Sequence, residues 1–297
     1  MASSPREKYA GITRHDAQDG LIFLAALVVL PFLPDRAIDP LGVFNPFAFW
    51  RLLLVMMGLS AAGYWAARLM GARRGLMVAG FATGFVSSTI GIAAMSARAH
   101  DNAAVTSAAA AGAMAAIMGS LVYLIALVMA ADAELIGVLA LPFLCAFLPA
   151  LAYALLLAWR ARSSASPGHD GRAFDLKVIA VFAALVAVFA VVSAMLVERF
   201  GAQGMLASAV ATGFVDAHAT AVSIATLVLA GKADMATGGL AILIGLSANM
   251  AVKIPAALAL GPRPFALQLA GGIALLITGL WCGYGLALLL PLVDQPA

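Results

Sequence analysis

Long apolar runs separated by short polar breaks pattern this chain from residue 20 almost to its end. About 20 consecutive apolar residues are needed to cross roughly 30 Å of hydrocarbon as helix. Nine stretches approach that length: 20–34, 48–69, 75–98, 103–130, 135–159, 175–197, 203–230, 235–260 and 265–292. The pattern predicts an all-α polytopic membrane protein with about nine hydrophobic segments. Between the fifth and sixth lies the only long polar stretch, Arg160 to Lys177, in which Ser163, Ser164, Ser166, Pro167, Gly168 and Gly171 read as a linker. The expected organisation is a polar tail 1–19, a first membrane segment and loop 20–47, a membrane repeat 48–159, a polar linker 160–174 and a second repeat 175–292. The first apolar run ends in Pro31, Phe32, Leu33, Pro34 and Asp35 without a small-x-small cleavage site, so a retained segment is expected and not a cleaved signal peptide.

Sliding one half over the other by 129 positions lays 75–86 on 204–215, and Ala-Thr-Gly-Phe-Val is identical at 82–86 and 211–215. The flanking hydropathy matches as well, which argues for an internal duplication, the usual construction of secondary transporters around a midplane site. Parity decides how the copies are related. If all nine segments cross, Lys and Arg divide eight against eight between the two faces. If 75–98 and 203–230 are broken or re-entrant, Arg98, Arg160, Arg162, Arg172 and Lys177 join the N-terminal face, Arg199 leaves it, and the division becomes twelve against four. The second arrangement obeys the positive-inside rule and makes the repeats inverted. Backbone broken at membrane depth must be covered by protein or water, so both segments are expected in the interior.

Composition narrows the class. Hydrophobic side chains make up 64% and charged ones 10% of the 297 residues, against roughly half and a quarter in a soluble domain. A soluble fold, nucleic-acid binding and a secreted disulfide scaffold are excluded. The net charge of +3 fits cytoplasmic loop cations and implies no acidic partner. Cys145 and Cys282 stand alone in apolar runs, without redox or metal-knuckle spacing, and read as small core hydrophobes.

So few charges make the intramembrane polar residues conspicuous. Ser87, Ser88 and Thr89 follow the first Phe-Val; Asp216, His218, Thr220 and Ser223 follow the second. A carboxylate at that depth costs at least about 2.5–3.5 kcal/mol, so Asp216 is expected to face water or a partner and to be functional. A structural role, pairing with Lys or capping a helix break, is the alternative. In continuous helix Asp216 and His218 diverge by about 200°, so only an unwound stretch lets both approach one ligand. The next segment adds Ser247, Asn249 and Lys253, the last two sharing a helix face. Lys253 either snorkels to the interface or forms an ion pair or proton-linked switch with Asp216. Ser120 stands at the position matching Asn249, with Tyr123 three residues on, so the polar set is asymmetric between halves.

The runs at 71–75, 84–89, 213–220 and 247–253 together resemble the membrane domain of unknown function 4010, which commonly follows the MgtC domain in MgtC/SapB-type bacterial inner-membrane proteins; 30–35 and 42–46 are also similar to it. The resemblance covers residues 17–290 and implies that family's fold and location. Two departures stand out: no MgtC-like domain precedes these segments in this chain, and His218 occupies a position where the family more often has an acidic residue. Imidazole in place of oxygen favours a borderline transition metal over Mg²⁺.

The expected function is a secondary transporter or ion-conducting protein of the bacterial inner membrane, carrying a divalent metal or a proton-coupled small ion. Asp216, His218 and Asn249 are the candidate metal ligands, Ser87, Ser88, Thr89 and Thr220 supply neutral oxygens, and Lys253 is a counter-charge. An anionic substrate and a non-transporting regulatory partner are the alternatives. No enzyme is expected: the chain has no HExxH and no paired Gly-x-Asp signature. No cofactor is expected. The expected partners are the lipid bilayer, a small ion or small-molecule substrate and a second copy through the Gly- and Ala-rich faces that carry Gly271, Gly272, Gly279, Gly283 and Gly285.

Overall fold

A computed structural model describes residues 14–39, 42, 44–70, 75–161 and 176–290. Most of the polar tail and linker, and positions 71–74 of the motif at 71–75, lie outside the described residues. All regular elements among the described residues are helical: α1 Arg14–Val29, α2 Pro46–Met70, α3 Gly75–Gly84, α4 Ser88–Asp101, α5 Thr106–Ala131, α6 Leu135–Arg160, α7 Leu176–Gly213, α8 Ala217–Leu229, α9 Met235–Leu260 and α10 Arg263–Leu289. Among the described residues seven helices are long and apolar enough to span a bilayer, the make-up of a multi-pass membrane protein.

The expected segments at 75–98 and 203–230 are not single helices. The first is α3 and α4, separated by a turn at 85–87. The second begins inside α7, where Gly201 (φ 58°) kinks the helix, and continues after a break at 214–216 as α8. A left-handed φ at that kink is open to glycine and strained for a residue with a Cβ. Past the kink the chain folds back, so that Gly204 abuts the Leu196 carbonyl.

Both breaks have a local cause. Ser87 (φ −168°, ψ 119°) and Asp216 (φ −155°, ψ 120°) are extended N-caps whose side-chain oxygens accept first-turn amide hydrogens of the next helix. Four residues earlier, Thr83 and Thr212 donate their hydroxyls back to the carbonyls of Gly80 and Ser208, the back-bonding that bends helices.

Glycines fix the direction of each short helix. Along α3, Gly80 lies against Gly112 and Gly84 against Ala116 and Ser120, so α3 runs parallel to α5. Along α4, Ser88 meets Ser120, Gly91 meets Ala116 and Met95 meets Gly112, so α4 runs the other way. The two therefore form a hairpin whose tip reaches Ser120, midway along α5. In the second half Ala209 and Gly213 lie along Gly245 towards Asn249, while Thr220 and Val228 pass Gly245 and Gly238 in reverse. The end of α9 at Gly261 meets Ser96 on the outer half of α4, and its start at Gly238 and Gly239 meets Leu135 and Val138 beyond the end of α5. Helices α5 and α9 are thus antiparallel, and the hairpins approach from opposite ends.

The remaining helices brace this centre. Trp50 donates to the Ala26 carbonyl and Tyr64 to Asp16, seating α1 against α2. Gly279 and Gly283 let α10 lie on the α6 backbone at Cys145 and Pro142, Gly272 receives Met114 of α5, and Gly271 lies beside Tyr153. Four of the five glycines expected at a dimer face are therefore occupied within the chain; only Gly285 meets open space. Small residues permit close helix contact whether the partner is the same chain or another, so the pattern alone does not say which. Cys145 is half-buried and Cys282 exposed, both free, so only the first fits the packing expected of it.

Candidate functional site

The two hairpin tips converge on one residue. Ser88 at the first tip donates to Ser120 Oγ at 3.3 Å. His218, in the first turn of the second hairpin's returning helix, places Nε2 at 3.0 Å from Ser120 Oγ and 3.1 Å from the Ser120 carbonyl oxygen. Ser88 and Ser120 are buried. The His218 ring lies 5.1 Å from that of Tyr123, which in turn stands 6.3 Å from Phe85 at the first tip.

The contacts of His218 fix its protonation pattern. A carbonyl only accepts, so Nε2 carries hydrogen. Nδ1 then faces Asp216 Oδ1 at 3.7 Å. In neutral histidine this Nδ1 is a lone pair directed at a carboxylate, an arrangement of two acceptors that a proton or another cation between them resolves. A tetrahedral or trigonal metal with ligands at about 2.1 Å separates two ligand atoms by about 3.4–3.6 Å, so the pair fits either a proton or a metal. Among the described residues no three His, Cys, Asp or Glu side chains gather as a protein-only metal cage requires.

Asp216 is anchored as well as charged. Its Oδ1 accepts from Ala219 N at 2.7 Å, which places a carboxylate on the positive end of α8. Its carbonyl accepts from Thr220 Oγ1 at 2.6 Å, and Thr220 also reaches Thr212 Oγ1 at 3.0 Å. The extended backbone at Asp216 is the unwound stretch that lets it face the same point as His218. Its side chain keeps 32% of its surface open.

Lys253 does not snorkel. Its residue is 4% exposed, and Nζ donates to Asn249 Oδ1 at 2.8 Å, one turn back towards the middle of α9. Side chains on a helix lean towards its N-terminus, which carries this ammonium inwards from the nearer end. The expected ion pair with Asp216 is not formed within 4 Å, because the ammonium is engaged by Asn249. The Asn249 oxygen expected to ligate a metal is the atom so engaged, while its Nδ2 donates to the Gly213 carbonyl at 3.1 Å and ties down the second tip. Of the expected hydroxyls, Ser87 caps α4 through Ile90 N at 3.4 Å, Ser88 joins the junction, and Thr89 is exposed and takes part in none of these bonds.

Three residues outside the expected set complete the junction: Ser120, Tyr123 and Ser60. The first two were marked by the offset of 129 from Asn249 and its neighbours. Ser60, on α2, carries no sequence signal; it is buried and donates to the Phe85 carbonyl at 3.4 Å. Two cavities lie elsewhere. One of about 380 Å³ sits between α2 and α7, lined by Phe49, Leu52, Val186 and Ala190. The other, about 540 Å³, is polar and lies at the far ends of α5 and α8, beside Asp35, Arg51, Asp132 and Glu134.

A family model described as "Domain of unknown function (DUF4010)" matches residues 54–261, more than two thirds of the chain. No curated protein and no solved structure matches it.

Proposed function

The chain belongs to the DUF4010 family, and we propose that it is a secondary transporter in which two inverted repeats hold a mid-membrane cation site, the Asp216–His218 pair. The observation that carries this reading is the meeting of both hairpin tips at Ser120, from opposite ends of α5, with a carboxylate and an imidazole 3.7 Å apart beside it. Broken helices of paired repeats, meeting at mid-depth around ionisable side chains, are how many carriers build a site that either face can reach. Seven spanning helices and two hairpins give each repeat three crossings, an odd number, which supports inversion. The same topology puts twelve Lys and Arg on one face and four on the other.

The cargo of the pair is a proton or a divalent metal of the borderline class that accepts imidazole. The polar cavity beside Asp132 and Glu134 lies eleven residues along α5 and α8 from the junction, about 16 Å at the helical rise, and serves as the vestibule on that face. The resemblance to the membrane domain of MgtC/SapB-type proteins supports a bacterial inner membrane as the location we propose. The role is that of a carrier, not an enzyme.

Proteoliposomes test the reading. With entrapped pyranine and a metal-sensing dye, an imposed pH gradient or external Mn²⁺ or Zn²⁺ should give protein-dependent flux. Vesicles as tight as protein-free controls to both protons and metals would overturn it.

A further inference from the structure

The apolar cavity and the polar cavity adjoin. Asn45 and Ala48, at the entry to α2, line both of them. The apolar one begins beside Ile38 and Phe44 and extends past Leu52, six residues into α2 and about 9 Å from its start at the helical rise. Val191 belongs to its wall and is also 42% exposed, so the cavity opens sideways to whatever surrounds the spans. Around a multi-pass protein that is the hydrocarbon layer.

The polar cavity carries both signs of charge. Arg51, Asp35, Asp132 and Glu134 line it, yet among the described residues Arg51 pairs with none of the three carboxylates within 4 Å. Arg51 donates instead to the Ala130 carbonyl at 2.6 Å; Asp35 accepts from Asn45 Nδ2 at 2.8 Å and Asp132 Oδ1 from the Glu134 amide at 3.0 Å. A guanidinium has five N–H donors and a carboxylate about four acceptor positions, so each keeps bonding capacity beyond these contacts. Nor do the carboxylates close upon a bare ion: among the described residues no three Asp, Glu, His or Cys side chains gather as a metal requires. Opposite charges held apart around one space fit a ligand that itself carries both signs.

We infer that the joined cavities bind one phospholipid with a zwitterionic, primary-amine head, of the phosphatidylethanolamine type. An acyl chain lies along Leu52 and Val186 in the apolar cavity. Arg51 takes the phosphate, to which its planar fork is matched, and Asp132 and Glu134 take the ammonium. A primary ammonium brings three N–H donors to those acceptors; a trimethylammonium brings none, and a glycerol head brings no positive charge. About 380 Å³ on the apolar side and about 540 Å³ on the polar side lie within the range that small ligands occupy. The head stands at the mouth of the vestibule, and its binding does not depend on ions crossing.

Native mass spectrometry of the full chain released from detergent is the test, titrated with dioleoyl lipids bearing ethanolamine, choline or glycerol heads. The wild type should take up one ethanolamine lipid with an apparent Kd about tenfold below the other two, the gain expected of charge-assisted hydrogen bonds. Asp132→Asn with Glu134→Gln keeps the oxygen that accepts from the Glu134 backbone amide and removes both charges; it should bring the ethanolamine lipid level with the choline one. Ala187→Phe places a ring in the apolar cavity and should weaken all three lipids alike. Equal affinities in the wild type, a preference for the glycerol head, or an ethanolamine preference undiminished in the carboxylate variant overturns the inference. Undiminished binding in a folded Ala187→Phe does so as well; should that variant unfold, the carboxylate variant decides alone. Vesicles without flux would overturn the transport reading and leave this site standing, and flux in a chain that does not distinguish the lipids would do the reverse.

Discussion

Alanine at Gly84 should pull the first hairpin off its seat. The new Cβ would stand 2.2 Å from the Ala116 carbonyl oxygen and 2.8 Å from Ser120 N. Ordinary contact begins near 3.4 Å, so the helices must part by about 1 Å, and both opposing atoms are backbone with no flexible end to swing aside. Overpacking of this kind costs about 1–3 kcal/mol. The better helix propensity of alanine returns at most about 1 kcal/mol, leaving a net loss of about 1–2 kcal/mol. The same displacement opens the 3.3 Å bond from Ser88 to Ser120 and disturbs the one to His218. Gly137→Ala is the matched control, since nothing lies within 4 Å of its Cβ and only the propensity gain applies. Thermal unfolding of the two variants in detergent should move their midpoints in opposite directions. Equal midpoints would refute the close docking of α3 on α5 and with it the placement of the tip at Ser120.

Other outcomes follow from the caps and the topology. Asp216→Asn keeps an equally good N-cap and removes the charge, so it should unfold within about 1 kcal/mol of wild type, whereas Asp216→Ala should lose about 1–2 kcal/mol more, as read by denaturation midpoints. At the start of α9, hydrogen bonds from the Thr237 amide and hydroxyl hold the Asp234 carboxyl below its ordinary 3.8. Because the folded value is the lower one, this stabilisation is present above about pH 4 and fades as pH falls further; it is small, since the group is solvated. An Asp234→Asn variant should accordingly show a shallower loss of stability than wild type between pH 5 and 3. Cysteines introduced at Arg98 and Lys232 should label with an impermeant maleimide from opposite faces of oriented vesicles; labelling from the same face would mean that the hairpins cross.

The spans were legible because length and hydropathy decide them almost alone. The hairpins were legible only indirectly, through where Arg98, Arg160 and Lys177 must lie for the cations to gather on one face. Asp216 and His218 announced themselves by their cost in lipid. Ser60, Ser120 and Tyr123 could not, because a hydroxyl in an apolar helix commonly satisfies itself on its own backbone. What joins them is convergence in space from two separate helices, α2 and α5. The inward turn of Lys253 was equally hidden, since four methylenes can lead to either the interface or the interior and the Asn249 oxygen decides between them. The α10 glycines had a real partner, but their spacing does not say whether that partner is α6 or another copy.

The central claim is that ions cross at the Asp216–His218 pair. Reconstituted wild type and Asp216→Asn, matched for protein content and fold, should be compared in the same pH-gradient flux assay. The account predicts flux in the wild type and its loss in the variant while unfolding stability is retained; flux undiminished in Asp216→Asn would contradict it.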